Sequence, residues 1–275
     1  MKSKKLMYMF LGVTILCTVM TGCQKIKSLI KGEKKKPTVK EWVTEEFENF
    51  NETQRREMVA HEVITYPDRV EDHTNSYVLD AKKGMVMSTM VTVDSATKQE
   101  TVAPSEYYVK ERRNTYSYKE KNGVYKKKRD AVGMYNGIAR SIMVSLRNCK
   151  SIEDLGTEPL ATTEVIKVKV IYGFDRVKYL EDVGITDKVV QSVSGFSELL
   201  DNMEKDGYME TIYWFDVDSR ALLKSEENLT SYQQFVYYYQ LARYGTDTGC
   251  PTSVTLVTDY KTHDECQEIV IPEVQ

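Results

Sequence analysis

His61, His73 and His263 are the side chains of this chain best suited to metal or proton chemistry near neutral pH. His61-Glu62-Val63-Ile64-Thr65 opens like a zinc-protease helix, but Thr65 stands where the second histidine ligand belongs. His263-Asp264-Glu265-Cys266 gathers four ligand types in a row. Four adjacent positions on one loop rarely converge on a tetrahedral metal, so no metal site is expected. Glu71-Asp72-His73 reads as a solvated turn. The acidic pairs Glu45-Glu46 and Glu226-Glu227 supply carboxylates, yet glycoside chemistry needs two of them across a cleft, which sequence spacing does not show. No serine sits in a nucleophile elbow, and no glycine-rich phosphate loop or dinucleotide fingerprint occurs. The expectation is a protein without catalysis or cofactor. An enzyme would need two or more acids with perturbed pKa values gathered in one cleft.

Cysteine chemistry points elsewhere. Beyond the leader, Cys23, Cys149, Cys250 and Cys266 have no CxxC spacing. Setting Cys23 aside leaves an odd number, so at least one thiol is unpaired or pairs with another chain. Cys250 and Cys266 flank a hairpin at opposite ends, too far apart for a disulfide.

Residues 1–22 form an address. Lys2, Lys4 and Lys5 make a basic head, residues 6–19 an uncharged apolar run, and Met20-Thr21-Gly22-Cys23 the close. The run is short for a membrane span and ends in small residues, as an export signal does. The last four residues resemble the lipobox of bacterial lipoproteins, with Met20 where leucine is usual. The resemblance implies cleavage before Cys23 and a diacylglyceryl thioether on it, hence a lipid-anchored chain on the extracytoplasmic face of the cell membrane. The alternative is an uncleaved anchor with an incidental cysteine.

Residues 23–40 are the tether. Residues 24–40 hold seven lysines and one glutamate, whereas residues 41–275 hold 28 basic and 40 acidic residues, a balance of −12. An acidic domain argues against nucleic acid. The basic tether is a spacer that also suits an anionic lipid surface. As a flexible coil it reaches about 20–25 Å.

Hydrophobic period supplies the elements of a single domain over 41–275. Residues 39–50, 132–146, 186–203 and 231–244 carry apolar residues at helical spacing. Period-two alternation marks strands over 58–65, 75–80, 85–93, 106–112, 114–120, 124–128, 164–172, 208–217, 221–229, 252–260 and 268–271. Lys121-Asn122-Gly123 is a hairpin turn and Asp218-Ser219-Arg220 another. Tyr232, Phe235, Val236 and Tyr239 form a core stripe, leaving Tyr237 and Tyr238 as either a contact surface or the spare edge of a lid. Strands and helices come in blocks without βαβ alternation, so the fold class is α+β with an antiparallel sheet.

Three segments together resemble the LolA/LppX-type lipoprotein superfamily. They are residues 164–170, the hairpin 212–224 (IYWFDVDSRALLK), and the tail Asp259-Tyr260-Lys261 with Ile269-Val270-Ile271-Pro272-Glu273. The resemblance implies a curved antiparallel half-barrel with helices covering its concave face, and binding of a lipid or other apolar ligand between sheet and helices. No ligand contact carries over by motif. Alternation alone offers Val86, Met90, Tyr107, Val168, Val170, Tyr213 and Phe215 as liners, and each also fits an ordinary core. The expected function is noncatalytic binding of such a ligand. The other reading is a protein-interaction or envelope-sensing module, with an unknown envelope protein as partner and side chains filling the core.

Overall fold

The computed structural model describes residues 36–94, 97–130 and 133–274. Cys23, the leader and tether residues 23–35 lie outside the described residues. The chain opens with helix α1 (Val39–Glu52), started by a reciprocal cap. The Glu41 amide donates to Thr38 Oγ1 at 3.3 Å, and the Thr38 amide donates to Glu41 Oε2 at 2.7 Å. Arg56 closes the other end by donating to the Asn51 carbonyl at 2.6 Å.

A first meander follows: β1 (Arg55–Thr65), β2 (Val70–Asp80), β3 (Met85–Val93), the short β4 (Glu100–Val102), β5 (Glu106–Glu111), β6 (Asn114–Lys121) and β7 (Val124–Arg129). Asn122 and Gly123 have φ of 57° and 78°, as the tightest hairpin turn requires between β6 and β7. Helix α2 (Met134–Ser141) then carries the chain to the opposite edge, where β8 (Cys149–Leu160) and β9 (Thr163–Tyr172) pair. Three helices come next: α3 (Arg176–Val183), α4 (Asp187–Gln191) and α5 (Phe196–Asp206). The hairpin β10 (Met209–Asp216) and β11 (Leu222–Asn228), helix α6 (Thr230–Tyr244) and β12 (Ser253–Thr262) complete the order.

The twelve strands form one open, curved antiparallel sheet, and with six helices among the described residues the fold is α+β. Its order is β7-β6-β5-β3-β2-β1-β12-β11-β10-β9-β8, with β4 beside β3. The first and last strands pair along ten residues, from Arg56↔Thr262 to Thr65↔Ser253, and so join the two meanders. On the concave face Trp42, Phe47 and Phe50 of α1 pack onto Phe215, Tyr213 and Tyr260, with ring centroids 4.9–5.3 Å apart. Ile138 and Ile142 of the crossing segment enter the same cluster. A second cluster joins α3 to α6 through Leu180, Val190, Phe196, Leu200, Met203 and Phe235. It lies at the end of the sheet where β9 and β11 finish and β10 and β12 begin.

Several expectations are corrected. Residues 186–203 are two helices, because Gly195 adopts φ 84° and a Cβ there would lie 2.7 Å from the Tyr238 hydroxyl. The helix expected over 132–146 is only α2, while Ile142 and Val144 are buried as irregular chain. Residues 268–271 form no strand. Ile269 and Ile271 instead pack with Val78, Met87 and Cys266 on the convex face. Glu71-Asp72-His73 belongs to β2, not to a turn. Cys250 and Cys266 flank the single strand β12, and Cys149, Cys250 and Cys266 are all free thiols.

Candidate binding site on the concave face

Strand register decides which side chains meet. Reading across the concave face, His73 of β2 lies beside Glu62 of β1, and Glu62 beside Leu256 of β12. Leu256 lies beside Glu227 of β11, Glu227 beside Thr211 of β10, and Thr211 beside Val170 of β9. One step along the strands, Met90, Asn75, Ala60, Thr258, Ser225, Tyr213 and Val168 form the parallel row. The face is therefore apolar under α1 and at the α3–α6 end, with a polar band between.

That band is neither fully covered nor fully open. Met58, Glu62, His73, Asn75, Tyr77, Met90, Glu227 and Leu256 are half-buried, whereas Thr211, Ser225 and Thr258 are at most 1 % exposed. Ser225 Oγ reaches Glu227 Oε1 at 3.4 Å and shares a hydrogen bond of 3.0 Å with the Tyr260 hydroxyl. The Tyr172 and Tyr213 hydroxyls share one of 2.8 Å, and Tyr172 also donates to the Ser145 carbonyl at 3.0 Å. Two buried polar atoms of the band have no hydrogen-bond partner among the described residues, Thr211 Oγ1 and His73 Nδ1. Buried polar atoms are nearly always paired, so such orphans mark places where a ligand or water could bind.

Burial sets the electrostatics. It pushes the Glu227 carboxyl up to about 7, against the opposing hydrogen bond from Ser225. It also raises Glu62, with the nearby His73 opposing and Glu71 adding to the rise. Tyr77 is pushed up to about 12, first by burial and then by the charge of Glu62. Tyr213, Tyr172 and Tyr260 all rise for the same first reason and serve as neutral hydroxyls.

The alternation-based liners separate on this surface. Val86, Val168, Val170, Tyr213 and Phe215 face the concavity and belong to the core that α1 and α2 close, each at most 4 % exposed. Met90 faces the same side within the half-buried strip. Tyr107 faces the convex side, against Val78, Met87 and the Tyr125 ring. Its neighbour Tyr108 is the buried concave residue, because β5 pairs Val86 with Tyr108.

The sequence motifs land apart from one another. His61 is on the convex face, 2.8 Å from Asp72. His263 sits in a short 3-10 turn, and Cys266 is buried in the convex cluster. The 212–224 hairpin folds as its residues suggest: Asp216 Oδ1 accepts from the Ser219 amide at 2.7 Å and hydroxyl at 2.8 Å. Those bonds hold the Asp216 carboxyl below its ordinary range. Trp214 faces the convex side between Lys167 and Lys224 and donates to Glu158 at 2.7 Å.

Two surface depressions lie away from the concavity. One of about 440 Å³ borders the β8–β9 hairpin at Thr157, Glu158, Pro159 and Thr163. Another of about 210 Å³ lies on the convex face between Glu210, Ile212, Glu226 and Thr255. Among the described residues no helix is long and apolar enough to cross a membrane.

No family model matches this chain, and no curated protein matches it. Solved structures similar to it include the lipoprotein LppX of Mycobacterium tuberculosis, at 9% identity over 83% of this chain and 96% of that one, with a TM-score of 0.41. LprF from Mycobacterium bovis is similar at 7% identity over 83% and 92%, with a TM-score of 0.38. A DUF1329 family protein from Desulfovibrio piger covers 82% and 92% at 10% identity, with a TM-score of 0.25. At TM-scores below 0.5 these likenesses assign this chain neither a family nor a ligand.

Proposed function

We propose that this chain is an extracytoplasmic lipoprotein, anchored by lipid at Cys23, whose single domain binds an amphiphilic or apolar ligand without catalysis. The observation that carries the reading is the strip between the two helical clusters. Met58, Tyr77, Met90 and Leu256 keep partial contact with solvent there, on a curved face otherwise sealed by packing. Apolar surface left reachable inside a concavity, beside a few convergent polar groups, is the usual character of a small-molecule site. In this reading Met90 meets the ligand directly. Tyr213 and Phe215 meet it only where α1 shifts, because α1 packs on them, and Val86, Val168 and Val170 only where the main core opens, because they are buried in it. Tyr107 is not a liner, since it faces the other side.

A specific observation favours a second reading. The floor under α1 is closed by Trp42, Phe47 and Phe50, as a protein-interaction or envelope-sensing module with a filled core would be. Native mass spectrometry of residues 24–275, made in cells and purified without detergent, separates the two. A reproducible adduct that organic extraction removes supports ligand binding. A bare mass, with no uptake of added lipids, overturns it and leaves the surface module.

A further inference from the structure

We infer that the Glu227–Thr211 pair is the headgroup subsite of this concave face, and that the headgroup it takes is a protonated amine on an apolar chain. The inference rests on the reading that an amphiphile occupies this face. Glu227 and Thr211 are registered opposite each other on β11 and β10, so their side chains are immediate neighbours. Both offer oxygen acceptors. Thr211 is fully buried, and its Oγ1 has no partner among the described residues. Beyond a long contact with Ser225, no cation among the described residues pairs with Glu227.

An ammonium group matches this set. It carries three donors and no acceptor, so one N–H can point at the carboxylate and another at the orphan hydroxyl. It also supplies the missing counter-charge, and a charge-assisted bond is about twice as strong as a neutral one. An anionic headgroup meets the opposite field. Glu62 lies two strands from Glu227, with Leu256 between, and Glu71 adds a third carboxylate near Glu62. His73 is the one basic residue in that row across β2 to β9. Met58, Met90 and Leu256 lie on the same face to receive the chain.

The test uses residues 24–275 and three probes with the same chain, dodecylamine, dodecanol and dodecanoate, titrated below micelle formation at pH 8. One hydrogen bond to a charged group corresponds to about 10–100-fold in affinity. Dodecylamine is expected to bind tighter than dodecanol by that factor, and dodecanoate more weakly than either. Glu227→Gln should bring the ratio of amine to alcohol affinity close to one; Thr211→Val should reduce that ratio several-fold. Thermal melts of both variants verify that they are folded. Equal binding of amine and alcohol, or an amine preference that survives Glu227→Gln, overturns the headgroup assignment while chain binding stands. Failure of all three probes to bind overturns the ligand-binding reading and this inference with it.

Discussion

At Glu227, burial and charge oppose each other, and pH decides which is felt. Its carboxyl titrates at about 7 in the folded domain and near its ordinary 4.5 when unfolded. Between those values the folded state holds more protons, so stability falls as pH rises through the window and stays lower above it. Glutamine has the same shape and no charge to bury. Glu227→Gln should therefore leave stability unchanged near pH 4 and raise it at pH 8. After discounting for partial exposure the gain is about 1–3 kcal/mol. Urea midpoints at the two pH values check this, and an equal gain at both would mean that the effect is not ionisation. Gly207 presents a steric case. Its φ is 99°, and a Cβ would lie 2.6 Å from Ile171 Cγ2 and 2.7 Å from the Tyr172 carbonyl. The Tyr172 carbonyl is backbone and cannot swing away, so Gly207→Ala should destabilise the domain by at least about 1–3 kcal/mol. A melting temperature within a degree of wild type would refute that.

At the scale of elements, α1 closes part of the main core with a single face. Four of its fourteen residues, Trp42, Val43, Phe47 and Phe50, are buried, and they fall on one stripe. Phe47 touches both Tyr213 and Phe215, so Phe47→Ala should cost about 3–5 kcal/mol. Chemical denaturation measures it directly, and a loss below 1 kcal/mol would mean that α1 is not part of the cooperative core. This helix was legible because its apolar spacing is local. The alternation of Tyr213 and Phe215 against Trp214 was legible for the same reason. Strand β8 was not. Most of its residues are exposed, and a register shift near Gly156 breaks what alternation it has. An edge strand of that kind has no inward row to read. The polar band was hidden for a different reason. Glu62 meets His73 within β1–β2 and Thr211 meets Glu227 within β10–β11, but the two pairs share one band only through the β1–β12 and β11–β12 pairings, which join residues nearly 200 apart in β1 and β12. Period two says that two side chains share a face of one strand; it does not say which strand comes next.

For the whole molecule, the pairing of β1 with β12 joins the two meanders into one sheet. Helix α1 begins at Val39, within the last two residues of the expected tether, and packs on the concave face. If the proposed anchor holds, a ligand reaching Tyr213 or Phe215 must move the element that follows the tether. The anchor at Cys23 is thus the first premise to test. Each methylene of an attached chain buries about 0.8 kcal/mol in a bilayer, and two chains hold far more firmly than one. With labelled palmitate in a bacterial host, the wild-type chain should take up label and its mass should begin at Cys23. Cys23→Ala should take up none and retain residues 1–22, while the domain binds its ligand as before. An unlabelled wild-type chain that still carries the leader would instead make the leader an uncleaved anchor with an incidental cysteine. The domain would then hang from a protein segment, and the 17-residue basic stretch from Gln24 to Lys40 would still set its distance from the bilayer.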